Sequence, residues 1–159
     1  MRKSSNQALR AAQPADADAI TRLINSAFQV ESFFKRGDRL DLAEVQARFD
    51  KGRFILAEQD GVIVGCVYLE PGAERAYIGL LSVEPSLQGS GLGKRLMTAA
   101  EEHCRAFGCS FVDLRVVNLR TELPPFYRKL GYEQTGTEPF PAEALTQIPC
   151  HFLIMSKSL

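Results

Sequence analysis

A chain of 159 residues holds one hydrophobic core and is short for two, because domains run to about 100–200 residues each. With 45% hydrophobic and 24% charged residues it lies near the globular average, which excludes collagen-like, coiled-coil and wholly disordered chains. The 19 Lys and Arg balance 19 Asp and Glu, so a protein that holds nucleic acid or anionic lipid chiefly by charge is disfavoured.

Residues 1–7 are polar and charged with no apolar stretch behind them, so neither a signal peptide nor a membrane anchor is expected there. Pro14 with Asp16 or Asp18 starts a helix whose apolar positions Ile20, Leu23, Ile24 and Ala27 recur at helical spacing. Residues 29–38, with Phe33, Phe34 and Gly37, read as a loop, and Leu42, Val45 and Phe49 mark a short helix over residues 40–49. Residues 53–58 and 62–70 are strand-like and meet at Asp60-Gly61, a strong hairpin signal. A strand over residues 75–83 follows Pro71-Gly72. A long helix then spans residues 91–107, with Leu92, Leu96, Ala99, Ala100, His103, Cys104 and Phe107 on its apolar face and Gly108 as its stop. A strand over 109–117, a short helix over 123–130, a strand from Tyr132 and a last strand over 151–157 complete the chain. The order predicts one α/β domain, a mixed central sheet with helices on its faces.

Cys66, Cys104, Cys109 and Cys150 form no Cys-x-x-Cys pair, and the two histidines, His103 and His151, are far apart in sequence. A metal site is not expected; reduced, buried thiols in a cytoplasmic protein are.

The stretch Gln88-Gly89-Ser90-Gly91-Leu92-Gly93-Lys94 stands between a strand and the long helix. Glycines there permit a tight turn and close approach of backbone N–H groups to a ligand, and the helix start adds its positive dipole end. Phosphate is the matching guest. A Walker A loop would need Gly at 88 and Ser or Thr at 95, where the chain has Gln88 and Arg95; a dinucleotide fingerprint from Gly89 would need Gly or Ala at 94, where it has Lys94.

What remains is Gln-x-x-Gly-x-Gly, and with it the chain resembles the GNAT N-acetyltransferase family. Tyr127-x-x-x-Gly131-Tyr132 is similar to that family's Tyr-x-x-x-Gly-Phe. The resemblance implies a GNAT-like fold of about seven strands and four helices, acetyl-CoA as cosubstrate, and backbone contacts to its pyrophosphate from Gln88, Gly89, Ser90, Gly91, Leu92, Gly93 and Lys94. It also implies pantetheine and thioester contacts from Leu81, Ser82 and Val83, a cofactor contact from Asn118, and Tyr127 as the acid that protonates the leaving thiolate. In this reading the strand over 109–117 splays from the strand over 75–83 so that the cofactor arm fits between them. A histone-acetylating branch of the family carries Glu where this chain has Tyr77, so the base is not assigned; Glu70, Glu74 or a water held by Tyr77 are the candidates. Asn118 lies nine residues before Tyr127 instead of the family's seven.

The resemblance implies transfer of an acetyl group to a primary amine of a small molecule, amino acid or peptide by direct attack. Loops 29–38 and 137–149 would border the acceptor. A homodimer is compatible with the family. The alternatives are a non-catalytic acyl-CoA-binding module, and a nucleotide-binding domain that the failed spacings disfavour.

Overall fold

In the computed structural model, residues 7–35, 37–141 and 146–159 are described; residues 1–6 of the polar start and residues 142–145 of the 137–149 loop lie outside them. The elements are β1 (Ala8–Ala11), α1 (Ala17–Ala27), α2 (Leu42–Arg48), β2 (Arg53–Gln59), β3 (Val62–Glu70), β4 (Arg75–Val83), α3 (Leu92–Ala106), β5 (Phe111–Val117), α4 (Leu123–Lys129), β6 (Glu133–Pro139) and β7 (His151–Ser158). The seven strands form one mixed sheet in the order β1-β2-β3-β4-β5-β7-β6. Every neighbouring pair is antiparallel except β4 and β5. Among the described residues no helix is long and apolar enough to cross a membrane.

Alternate positions of a strand face opposite ways, and the two faces carry two cores. Leu92, Leu96, Met97 and Ala100 of α3 pack with Val67, Ile78, Leu114 and Met155 on one face. On the other, Ile20, Leu23 and Ile24 of α1 and Val45 of α2 pack with Phe54, Leu56, Cys66 and Tyr68. Asp41 caps α2 by accepting the Glu44 N–H at 2.8 Å, and Glu44 accepts the Asp41 N–H in return.

The structure departs from the sequence expectation in three places. A strand precedes the first helix where none is expected: β1 pairs with β2 from Ala8↔Glu58 to Ala11↔Ile55. The short sequence Ala-Leu-Arg-Ala has no β-rich pattern of its own; the partner strand and the Arg10 bonds to Glu58 and Asp16 hold it. Phe28–Phe33, overlapping the start of the expected loop, is a 3-10 helix. Phe107 leaves the apolar face of α3 and lies half exposed under the Arg53 guanidinium, 4.7 Å from its ring centre. Glu101 takes an inward place instead, holding the Tyr132 hydroxyl at 2.7 Å and the Lys157 ammonium at 2.9 Å.

Candidate functional site

β4 and β5 run side by side for three residue pairs only, Arg75↔Phe111, Ala76↔Val112 and Tyr77↔Asp113. Beyond them β4 stays with β3, and β5 stays with β7 from Leu114↔Met155 to Val117↔Phe152. Residues 78–83 and 114–117 therefore have no partner on the sides that face each other, and the sheet opens into a fork. Asp113 fixes the base of the fork. It accepts two bonds from the Arg75 guanidinium, at 2.7 and 2.6 Å, and one from the Ser156 hydroxyl at 2.6 Å, so three strands meet on one carboxylate. That arginine holds the Asp113 carboxyl below its ordinary range.

One extra residue enters β4 within the fork. Cys66 faces Ser82 but Tyr68 faces Gly79, so two β4 residues stand across from Val67. Leu80 takes φ +56° to accommodate the bulge, a conformation that costs a branched residue about 1–2 kcal/mol. Its consequence is a change of facing: Leu80 joins the core under α1, and Leu81 and Val83 turn toward the core under α3.

A cavity of about 920 Å³ fills the fork, and its lining runs from Leu87, Gln88, Gly89, Gly91, Gly93 and Lys94 at one end to Glu31, Arg48, Glu70 and Arg115 at the other. This is at the upper end of the range for small-molecule sites. The glycine end is shaped by backbone conformation: Gly89 has φ +83° and Gly91, the residue before α3, φ +90°. No side chain caps α3, so its first N–H groups, which no helix can satisfy internally, are left for a ligand.

Tyr127 of α4 enters from the side. It is buried, its ring meets Phe126 and Tyr132 edge-on at 5.0 and 5.9 Å, and it lines the cavity. Burial, with the neighbouring Tyr77 phenol, pushes its pKa well above the ordinary value of a phenol, so the hydroxyl stays protonated at neutral pH.

Of the sequence-predicted site residues, Leu81, Val83, Gln88, Gly89, Gly91, Gly93, Lys94 and Tyr127 come together on this one cavity. The remaining four lie outside its lining. Ser82 is buried and its hydroxyl donates to the Leu80 carbonyl at 3.0 Å. Ser90 gives its N–H to Leu87 within the loop. Leu92 packs in the core beneath the loop. Asn118 extends the β5–β7 pairing, its side-chain oxygen accepting the His151 N–H at 2.8 Å and its own N–H donating to the His151 carbonyl at 2.9 Å. Of the two carboxylates named as bases, Glu70 lines the cavity and Glu74 does not. Among the described residues no group of three His, Cys, Asp or Glu side chains could hold a metal.

The far end of the cavity carries contacts that sequence reading missed. Glu31 and Arg120, 89 residues apart, form a largely buried pair at 2.8 Å, and Arg120 also donates to Glu122 at 2.8 Å. Burial outweighs the arginine and raises the Glu31 pKa. Tyr77 folds its ring over Gly79, where a Cβ would overlap the phenol oxygen. The Arg115 guanidinium covers that ring at 5.1 Å and is itself held by Glu138 at 3.0 Å. The pattern Tyr-x-Gly in a strand, with both residues on one face, was the available signal for that pair; no local pattern marks Glu31 as the partner of Arg120.

Comparison with known proteins gives concordant results. The family model described as Acetyltransferase (GNAT) family matches residues 17–132. A mycothiol acetyltransferase of Sanguibacter keddieii is 36% identical over 140 residues, covering 82% of this chain and 44% of the relative; the chain thus spans under half the length of such curated relatives. Among solved structures, a phosphinothricin acetyltransferase from Sinorhizobium meliloti in complex with acetyl-CoA superposes with a TM-score of 0.77 at 19% identity, covering 96% of this chain and 88% of that one. A ribosomal-protein-alanine N-acetyltransferase from Brucella melitensis superposes with a TM-score of 0.76 at 20% identity, covering 96% and 99%. At these identities the structures establish a shared fold.

Proposed function

The chain belongs to the acetyltransferase (GNAT) family, and from that premise we propose that it transfers an acetyl group from acetyl-CoA to a primary amine of a small molecule, amino acid or peptide by direct attack, as a single domain acting in the cytoplasm. The observation that carries this reading is the fork between β4 and β5, closed at Tyr77↔Asp113 and continuous with the glycine loop in one cavity.

Each part of the reaction has a matching part of the cavity. The pyrophosphate of acetyl-CoA is bound by main-chain N–H groups at the glycine loop and the start of α3, with Lys94 beside them. The pantetheine arm lies along the free edge of β4 like a short added strand. The thioester carbonyl takes a hydrogen bond from a backbone N–H at residues 81–83, past the bulge, where the tetrahedral oxyanion develops. The amine forms the new C–N bond, the C–S bond breaks, the thiolate takes a proton from the Tyr127 hydroxyl, and the proton that the new amide nitrogen sheds restores that hydroxyl. A free thiol has a pKa near 8.5, so this proton assists the step without being indispensable. Glu70 is the carboxylate at hand for the proton of the incoming ammonium, whose pKa is about 10.4 when lysine-like.

A panel of amines with acetyl-CoA, read by thiol release and by mass of the product, tests the assignment. Acetylated product from at least one small amine is expected; tight acetyl-CoA binding with no product from any amine would favour a cofactor-binding module instead.

A further inference from the structure

The charges at the amine end of the cavity are mostly committed to one another. Arg120 holds Glu31 and Glu122, and Arg115 holds Glu138. Arg48 is different. It closes α2 with its guanidinium over the Tyr68 ring, 5.1 Å from the ring centre, and no carboxylate pairs with it among the described residues. Its Nε is buried and has no hydrogen-bond partner. A buried, charged N–H without an acceptor is unfavourable.

The counterpart lies at the other end of the same phenol. The Tyr68 hydroxyl donates to Glu70 at 2.6 Å, and Glu70 enters no ion pair among the described residues. Arg48 and Glu70 both line the cavity. Tyr68 therefore touches both charges, the Arg48 guanidinium over its ring and Glu70 at its hydroxyl, and neither charge has an ion-pair partner among the described residues. A molecule with both charges would satisfy both.

We propose that the acceptor is an amine that also bears a carboxylate, a free amino acid or a similarly small amino acid derivative, with Arg48 binding the carboxylate and Glu70 the ammonium. This rests on the acetyltransferase reading and names its substrate class. The planar guanidinium meets a carboxylate through its outer N–H donors, a geometry that an ammonium lacks. Arg39 and Lys35 also line this end and add positive charge, while Glu70 selects for a net-neutral zwitterion over a phosphate dianion.

Matched pairs test it: L-amino acids and β-alanine against their carboxamides, and phosphoethanolamine against ethanolamine, each with acetyl-CoA. The expected result is a kcat/KM at least about 10-fold higher for each acid than for its carboxamide, the range of a charge-assisted hydrogen bond, and no such gain for phosphoethanolamine over ethanolamine. Arg48→Gln should raise KM for carboxylates at least about 10-fold more than for carboxamides, and Arg48→Lys should recover part of the difference, which a merely structural role at Tyr68 would not produce. Acids and amides turned over alike, or a preference for phosphoethanolamine, would overturn the proposal. If acetyl-CoA binds but no amine is acetylated, the enzymatic reading fails by itself. Calorimetry of the same pairs on CoA-loaded protein then decides the acceptor site: tighter binding of the acid, lost in Arg48→Gln, supports it, and equal or absent binding overturns it.

Discussion

Tyr127 lines the fork with a buried ring, and burial keeps its phenol protonated, as the proposed acid role requires. Tyr127→Phe should lower kcat by about 10² or less and leave acetyl-CoA affinity nearly intact; because the pKa is raised, the wild-type kcat should show no loss from this group up to about pH 10. Unchanged turnover in the variant would move the proton donor to water. Gly79 acts by its lack of a side chain, which leaves room for the Tyr77 ring. Gly79→Ala should destabilise the fold by about 1–3 kcal/mol through overpacking, and Tyr77→Ala in the same chain should recover part of that loss in a double-mutant cycle by urea unfolding. Additive losses would mean that the two residues do not meet. Tyr127 and the loop glycines were legible from the sequence because each belongs to a short motif. Arg48 and Tyr68 were not, nor was their meeting with Glu70, itself a candidate base, since it depends on which strand face each residue takes and on where α2 ends.

At the scale of elements, the fork is a matter of register and of its pinned base. Arg75, Asp113 and Ser156 tie β4, β5 and β7 together just where pairing stops. Asp113→Ala should lower Tm modestly and weaken acetyl-CoA binding, because the base of the cavity loosens; a variant with wild-type affinity would show that the sheet holds the fork without the clamp. At the opposite end, Gly91→Asp puts a side chain on a residue at φ +90° and a carboxylate against the first N–H groups of α3. Loss of measurable acetyl-CoA binding by calorimetry is the expected outcome. The long helices and the Asp60-Gly61 hairpin were readable from period and turn chemistry. The bulge at Leu80 was not, because Ile-Gly-Leu-Leu-Ser-Val reads as an uninterrupted strand and only its pairing with β3 reveals the extra residue. Strand β1 was also hidden, its existence resting on β2 and on Arg10.

For the whole molecule, the two cores on either side of one sheet govern thiol reactivity, and partly exposed ion pairs govern acid stability. Burial pushes the Cys66 and Cys104 thiols up to about 12, and Cys109 is buried as well. Alkylation of native protein at neutral pH should therefore label Cys150 first, with the other three reacting only on unfolding, as mass spectrometry of peptides would show. Asp16, held by Arg10, and Asp113, held by Arg75, have folded pKa values below the ordinary 3.8. Their contribution is present above that value and lost as pH falls through the lower folded value, so Tm should be nearly flat above about pH 5 and drop below about pH 4. A drop already complete by about pH 5 would assign acid unfolding to other groups. The α/β class and the helix faces were open to sequence reading because composition and period report them directly; the charge pairs across the cavity were not, since they join residues as far apart as Glu31 and Arg120.

A crystal structure of the protein with acetyl-CoA is the most direct check on the fork as the cofactor site. Diphosphate oxygens are expected within hydrogen-bond distance, about 3 Å, of main-chain nitrogens at the glycine loop and the first turn of α3, with the pantetheine arm running between β4 and β5 toward Tyr127. Acetyl-CoA bound elsewhere on the molecule, with the space between those strands filled by side chains, would refute that placement.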